Sequence, residues 1–143
     1  MTRIDFHSNV PDKIHYACRL VRKAMTQAAT QNVVLLLEDR TQLNQLDEAL
    51  WTFSASDFLP HVSMDHPLAG QTPIILCDGD TQNLPHHHIL INLARKTPPH
   101  FARFERLFEI INQDQLDAQA GRKRYSFYKQ NGYTLNHVVA EAT

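Results

Sequence analysis

The run Val33-Val34-Leu35-Leu36-Leu37 decides the fold class of this 143-residue chain. Its β-branched and leucine side chains, with no polar residue between them, place apolar groups on both faces of an extended strand. Strands buried on both faces are typical of parallel sheets, whose crossover helices cover each side. The run therefore predicts a central strand of an α/β protein.

Other segments repeat this pattern and alternate with helical ones. Further strands are predicted at residues 4–7, 73–77, 89–93 and 107–111. Helices are predicted from Pro11, which suits a first helical turn, to about residue 28, from Thr41 as a cap, and over 114–131 before Gly132. We therefore expect one domain over residues 1–143, with a mainly parallel sheet covered by helices on both faces.

Composition and charge exclude several classes of function. The formal net charge is −1, so the whole chain lacks the positive field that attracts nucleic acids or membranes. Residues 1–94 carry 6 Lys and Arg against 10 Asp and Glu, whereas residues 95–143 carry 8 against 5. Cys18 and Cys77 stand in apolar runs, which indicates free thiols in a reducing compartment. With no signal-peptide pattern and no apolar run of membrane-spanning length, we expect a cytoplasmic protein.

The sequence gives little support to an enzyme. Phosphate-binding loops need glycines, and the chain has 4, none of them in a dinucleotide-binding or P-loop motif. We therefore expect a Rossmann-like sheet without a phosphate-binding loop, and no cofactor. Asp78 and Asp80 follow a predicted strand and are candidates for a small nucleotide- or metal-dependent phosphotransfer site, although Asp-Gly is also a common turn. The run His86-His87-His88 is a metal candidate, but adjacent side chains on an extended segment diverge, which favours a solvated loop.

The last predicted helix combines positive charge with aromatic rings. One face holds Ala118, Arg122, Tyr125 and Lys129, and the roughly opposite face, expected to dock on the sheet, holds Leu116, Ala120 and Phe127. An arginine fork suits a carboxylate, and a tyrosine ring adds apolar contact area. The exposed face therefore fits an acidic peptide with an aromatic end, or a phosphate chain with bases. Direct binding of single-stranded nucleic acid stays open as an alternative.

A second aromatic group surrounds the only tryptophan of the chain. Trp51 is expected at the end of a helix, with Phe53 and Phe58 nearby. Such a cluster is either part of the core or an exposed anchor site for a partner protein.

These stretches together resemble the chi subunit of bacterial DNA polymerase III. Leu-Asp-Glu-Ala-Leu-Trp at 46–51 and Phe-Leu-Pro-His at 58–61 are similar to that family's L-D-E-x-L-W and F-x-P-H patterns. The spacing Arg122-x-x-Tyr125-x-x-Tyr128-x-x-x-Gly132 looks like its closing motif, and Ile-Leu-Ile-Asn-Leu at 89–93 is similar to one of its strands. The likeness covers essentially the whole chain in the same order.

The resemblance implies a non-catalytic accessory protein of the clamp loader. Its implied role is to bridge the psi subunit, as a heterodimer, to the acidic C-terminal tail of single-stranded-DNA-binding protein, without specific nucleic-acid binding of its own. By position, it implies a tail site of Arg122, Tyr125, Ile111, Lys123 and Lys129. It likewise implies a psi-facing surface of Trp51, Phe58 and Pro60.

One position departs from the family pattern. Some members carry a basic residue one turn before the key arginine, where this chain has Ala118. Two alternatives follow. Affinity for the tail is lower, or Lys123 or Lys129 supplies the missing charge.

Overall fold

The computed structural model describes residues 1–26, 31–52, 59–78 and 85–140. Within them the strands are β1 (Arg3–Val10), β2 (Val33–Leu36), β3 (His61–Ser63), β4 (Ile74–Cys77), β5 (Ile89–Asn92), β6 (Arg106–Asn112) and β7 (Leu135–Val139). The α-helices are α1 (Lys13–Met25), α2 (Arg40–Thr52) and α3 (Gln115–Gln130). Short 3-10 turns lie at Ala69–Gln71 and Phe101–Arg103.

All paired strands run parallel, in the order β3-β4-β2-β5-β6-β1-β7. The predicted α/β class with a mainly parallel sheet is therefore confirmed. Strand β2 lies between β4 and β5, with Val33 opposite both Ile74 and Ile89. Every residue of β2 is buried, as its unbroken apolar run predicts.

The two edge strands, β3 and β7, are the strands that sequence patterning missed. Strand β3 has 3 residues and directly follows Pro60. Strand β7 has 5 residues, four of them exposed, and places Asn136 and His137 beside valines. Edge strands are commonly short and part-polar because only one side is paired, so they lack the continuous apolar run of a central strand.

The sheet separates two hydrophobic clusters. Helices α1 and α2 pack on one face, where their apolar residues meet β2, β4 and β5 side chains such as Leu35 and Leu76. Helix α3 packs on the other face, where Tyr128 is fully buried with Phe6 and Leu107. In the part of the chain that the structure describes, no helix is both long and apolar enough to cross a bilayer.

Two predicted helix starts are wrong by a residue or two. Helix α1 begins at Lys13, and the Asp12 carboxylate accepts hydrogen bonds from the backbone N–H groups of Ile14 and His15, so Pro11 lies before the cap. Helix α2 begins at Arg40, with the Asp39 carboxylate accepting from the Gln42 N–H at 2.8 Å. An aspartate at the N-cap satisfies amides that would otherwise lack partners, and this outweighs the proline and threonine signals.

The predicted sheet-facing side of α3 is also wrong. Leu116 and Phe127 are 62% and 44% exposed. The buried positions of α3 are instead Asp117, Gly121, Arg124 and Tyr128, which recur at four- and three-residue steps on one face. Three of these side chains carry polar groups, so their burial depends on partners elsewhere in the chain.

The carboxylate of Glu109 on β6 is the main partner of that face. It accepts hydrogen bonds from the Tyr128 hydroxyl at 2.6 Å and from the Asn92 amide at 2.8 Å. The Arg124 Nε atom lies 3.1 Å from Glu109 Oε1, and both side chains are almost fully buried. Burial raises the pKa of Glu109, while Arg124 and the two hydrogen bonds oppose the shift. This cluster fixes the rotation of α3 on the sheet.

The start of α3 is anchored by a second buried ion pair. The Lys13 ammonium lies 2.8 Å from Asp117 Oδ1 and donates to the Leu93 carbonyl at the same distance. The other Asp117 oxygen accepts from the Asn112 N–H at 2.8 Å. Helices α1 and α3, on opposite faces, are therefore joined at the carboxyl ends of β5 and β6.

Candidate functional site

A groove of about 370 Å³ lies between α3 and the last two strands of the sheet. Its lining comes from four elements: Phe6 and Ser8 of β1, Ile111 of β6, Ala118, Gly121, Arg122 and Tyr125 of α3, and His137 of β7. Because the buried cluster turns Arg124 and Tyr128 toward the sheet, Ala118, Arg122 and Tyr125 fall on the flank of α3 that faces β7. The groove therefore brings together three of the predicted tail-site residues, Arg122, Tyr125 and Ile111.

The inner end of the groove is an apolar contact between α3 and β6. Ile111 is 6% exposed and lies directly beneath Gly121. A Cβ atom at position 121 would stand 2.8 Å from Ile111 Cγ1 and Cδ1, too close for unstrained contact. Glycine therefore allows α3 to approach the sheet here, and Ile111 forms an apolar wall.

Tyr125 is half-buried and its ring is held by other aromatic rings. It meets Phe6 edge-on at a centroid distance of 5.1 Å and His137 at 6.5 Å. Rings placed in this way stabilise one another beyond their simple burial. The Tyr125 ring is therefore oriented before any ligand arrives.

Arg122 is exposed at the mouth of the groove. Among the described residues it has no hydrogen-bond or ion-pair partner, whereas Arg124, two residues later, contacts both Glu109 and the Arg95 carbonyl. Arg122 also borders the shallow outer surface of α3. Its planar guanidinium is thus open to a carboxylate.

The two predicted lysines lie apart from the groove lining. Lys123 is exposed on the outer surface of α3 with Gln119, Ser126 and Phe127. Lys129 is exposed near the end of the helix, on the same flank as Arg122 by its seven-residue spacing. Ala118 lines the groove, as expected of the position where a basic residue is replaced.

Three lining residues outside α3 were not predicted from sequence: Phe6, Ser8 and His137. The Ser8 hydroxyl and His137 Nε2 are joined by a 2.7 Å hydrogen bond. Phe6 and His137 are register partners on the parallel pair β1 and β7. Predicting these three residues from sequence would have required predicting β7 and its pairing with β1, and β7 has no strong apolar pattern.

The other predicted surface lies at the opposite edge of the sheet. Trp51 is 55% exposed at the end of α2, and its ring lies 4.5 Å from that of His61 on β3. His61 is buried and is fixed by the Leu59 carbonyl at 2.6 Å from its Nδ1 atom. Pro60 is half-buried beside it, and Phe58 lies outside the described residues. Trp51 thus rests partly on β3 while much of its ring meets solvent.

The candidate enzyme side chains that the structure describes have separate partners. Asp78 Oδ2 lies 3.4 Å from Arg40 Nε, and Asp80 is outside the described residues. His86 Nε2 contacts the Thr72 carbonyl at 2.7 Å, while His88 Nδ1 contacts the Asn32 N–H at 3.4 Å. Over the described ranges, no three His, Cys, Asp or Glu side chains are placed to share a metal ion.

Both cysteines are buried, and neither forms a disulfide. Burial raises the pKa of the Cys18 thiol to about 11, with Asp12 adding to the shift. The thiol of Cys18 is therefore protonated at neutral pH and poorly suited to act as a nucleophile.

Comparison with known proteins places this arrangement among replication proteins. Residues 1–136 match the family model described as DNA polymerase III chi subunit, HolC. The chain is 32% identical over 139 residues to the DNA polymerase III subunit chi of Pseudomonas aeruginosa, an alignment covering 94% of each protein. It is 27% identical to that of Escherichia coli K12, covering 74% of this chain and 72% of the relative. It is 26% identical to that of Haemophilus influenzae, covering 84% and 82%.

Proposed function

Because this chain belongs to the DNA polymerase III chi subunit family, we propose that it bridges two other replication proteins. One is the psi subunit of the clamp loader, bound at the Trp51 surface. The other is single-stranded-DNA-binding protein, whose acidic C-terminal tail enters the groove beside α3. In this proposal the chain has no catalytic step of its own and acts by holding its partners together.

The observation that carries the proposal is the unpaired arginine at the mouth of an apolar groove. Arg122 offers charged donors to a carboxylate, and Ile111, Phe6 and Tyr125 in the same groove offer apolar surface to a ring. An acidic peptide with an aromatic end presents both groups together. A hydrogen bond to a charged group contributes on the order of 1.5–3 kcal/mol, enough to decide whether a short peptide binds.

The departure at Ala118 bears on the strength of this contact. Arg122 is the only arginine or lysine among the described groove-lining residues. Lys123 faces the outer surface, so Lys129 is the better placed of the two lysines to add charge. We therefore expect modest affinity that depends strongly on Arg122.

The psi surface rests on different chemistry. A half-exposed tryptophan at a helix end is typical of the residues that carry most of the energy of a protein interface. Trp51, with Pro60 beside it, forms an apolar projection at the β3 edge. We propose that psi covers this projection.

The separation of the two surfaces suits a bridge. They lie at opposite ends of a seven-stranded sheet, about 29 Å apart if strands are spaced about 4.8 Å. Both partners therefore have room to bind at once. Two modest contacts in one assembly act together because the second becomes intramolecular.

The tail site is tested by peptide titration. The change is Arg122→Ala, measured by fluorescence anisotropy with a labelled acidic peptide that ends in phenylalanine. We expect a loss of binding of at least about tenfold, since one charge-assisted contact is removed. The matched control is Lys123→Ala, which removes a neighbouring charge on the outer surface of α3 and should bind nearly as wild type. Equal affinity of Arg122→Ala and wild type would eliminate the groove as the tail site.

The psi surface is tested by copurification. Trp51→Ala should abolish copurification of psi, because it removes the largest exposed ring at the β3 edge, while tail-peptide binding stays at the wild-type level. Arg122→Ala serves as the reverse control and should retain psi. Psi retained by Trp51→Ala would contradict the assignment, and loss of both ligands would show that the variant is unfolded.

A further inference from the structure

Among the described residues, strand β7 pairs on one side only, with β1. The Ala140 N–H donates to the Ser8 carbonyl of β1 at 2.9 Å. Backbone groups of successive strand residues point to alternate sides, so Asn136 and Val138 also face β1. Leu135, His137 and Val139 therefore direct their N–H and C=O groups to the open edge of the sheet.

Among the described residues, this edge lacks three common protections against strand addition. Exposed edges are commonly guarded by lysine, proline or a bulge. Strand β7 reads Leu-Asn-His-Val-Val and so contains neither lysine nor proline. Its register with β1 is unbroken from residue 135 to 139, so it has no bulge there. Val138 and Val139 are 39% and 59% exposed. The described residues of β7 therefore leave these backbone groups available to an extended peptide.

The edge is continuous with the groove beside α3. The His137 side chain lines the groove, while the backbone groups of the same residue point to the open edge. A peptide that leaves the groove over His137 meets these backbone groups next.

The surroundings of the edge favour an acidic peptide. Arg122 lies on the α3 face of the sheet. On the α1 face, Arg19 lines a hollow with Val138 and Val139, and Lys23 lines a second hollow that also includes Val138. Alternate side chains of an added strand point to opposite faces, so acidic residues meet a cation on either side.

The carboxylates in those two hollows already have partners. Asp12 accepts from backbone N–H groups at the start of α1. Asp5 pairs with Arg106 at 2.8 Å. Among the described residues, the charge beside the edge that lacks a partner is therefore positive.

We propose that β7 takes up the acidic residues that precede the aromatic end of the tail as an eighth strand, continuing from the groove. The inference rests on the proposed function, because the same peptide fills the groove with its end and the edge with its preceding residues. Backbone pairing then supplies affinity, and the groove supplies specificity.

The experiment compares two peptides and reads the backbone directly. Both are acidic and end in phenylalanine; the short form has about five residues, and the long form adds about six, one strand length. The long form is expected to bind about tenfold more tightly, as a few added backbone hydrogen bonds would give. Amide hydrogen exchange by NMR should show new protection at Leu135, His137 and Val139 with the long peptide and not with the short one. The amides of Asn136 and Val138 should be protected throughout.

Backbone changes separate pairing from charge attraction. N-methylation of every second amide in the added segment leaves the charge of the peptide unchanged. Alternate amides form two sets, and methylation of the set that faces β7 should return the long peptide to the affinity of the short one. In the protein, Val139→Pro removes an edge N–H and should do the same, whereas Val139→Ala keeps that N–H and should bind as wild type.

Each other outcome overturns one specific claim. Equal affinity of the two peptides, or a gain without alternating protection, overturns strand addition and leaves the tail site intact. Protection of the same amides that grows with protein concentration in the absence of peptide assigns the edge to a second copy of the chain. Failure of both peptides to bind overturns the proposed function together with this inference.

Discussion

Helix α3 carries two arginine–tyrosine pairs that face different surroundings. Arg124 and Tyr128 point inward and share the Glu109 carboxylate. Arg122 and Tyr125 lie on the flank beside the groove, where the guanidinium has no partner among the described residues. The inner pair, Arg124 and Tyr128, thus shows how one arginine and one tyrosine of α3 bind a carboxylate.

Residue type alone therefore does not determine the role of a side chain on this helix. The inner pair is a closed interaction, satisfied within the fold, and its value is structural. The outer pair has the same chemistry without the carboxylate. A ligand that brings a carboxylate completes it, which is why the outer pair supports the proposed tail site and the inner pair does not.

The largest expected effect breaks the inner pair. Glu109→Ala leaves Arg124 buried without a carboxylate and should lower the free energy of unfolding by about 3–5 kcal/mol. Urea denaturation followed by circular dichroism measures the change. Glu105→Ala, at an exposed position just before β6, should stay within about 0.5 kcal/mol of wild type. Similar stabilities for the two variants would show that the inner pair does not hold α3.

A finer test exchanges the two tyrosines for phenylalanine. Tyr128→Phe removes a donor from buried Glu109 and should cost about 1–3 kcal/mol of stability. Tyr125→Phe retains the ring contact with Phe6 and should change stability by less than about 0.5 kcal/mol. Equal losses in the same urea experiment would remove the distinction between the two pairs.

The smallest expected effect comes from salt. Raising ionic strength from about 0.1 M to about 1 M shortens the screening length from about 10 Å to about 3 Å. Tail-peptide affinity should fall several-fold, because Arg122 is exposed. The stability difference between wild type and Glu109→Ala should change little, since Glu109 and Arg124 are shielded from solvent. Tail binding that is insensitive to salt would argue against a charge-led contact.

The central strands of the sheet were predictable from sequence because continuous apolar runs indicate buried strands. The segments around Val33, Ile74, Ile89 and Leu107 all form strands at or near the predicted residues. The edge strands escaped because pairing on one side tolerates polar residues. The buried side of α3 was not predicted for another reason. Its polar side chains pair with Glu109 and Lys13, which are distant in sequence.

The candidate groove was predictable only in part. Arg122, Tyr125 and Ile111 come from the resemblance to the chi family, and the structure places them side by side. Ser8 and His137 are separated by 129 positions, and only the parallel pairing of β1 with β7 joins them. Local pattern contains no information about such a long-range pair. Phe58 and Asp80 lie outside the described residues.

Gly121 allows α3 to lie close to the sheet because it has no side chain. With a methyl group in that place, the Ile111 side chain or the helix itself would have to shift, because the added Cβ atom would stand 2.8 Å from Ile111 Cγ1 and Cδ1. The clearance between α3 and β6 at the inner end of the groove is thus set at a position that contributes no side chain to the lining. Engineering at this one residue offers a way to narrow or close the cleft while every ligand-contacting side chain keeps its identity.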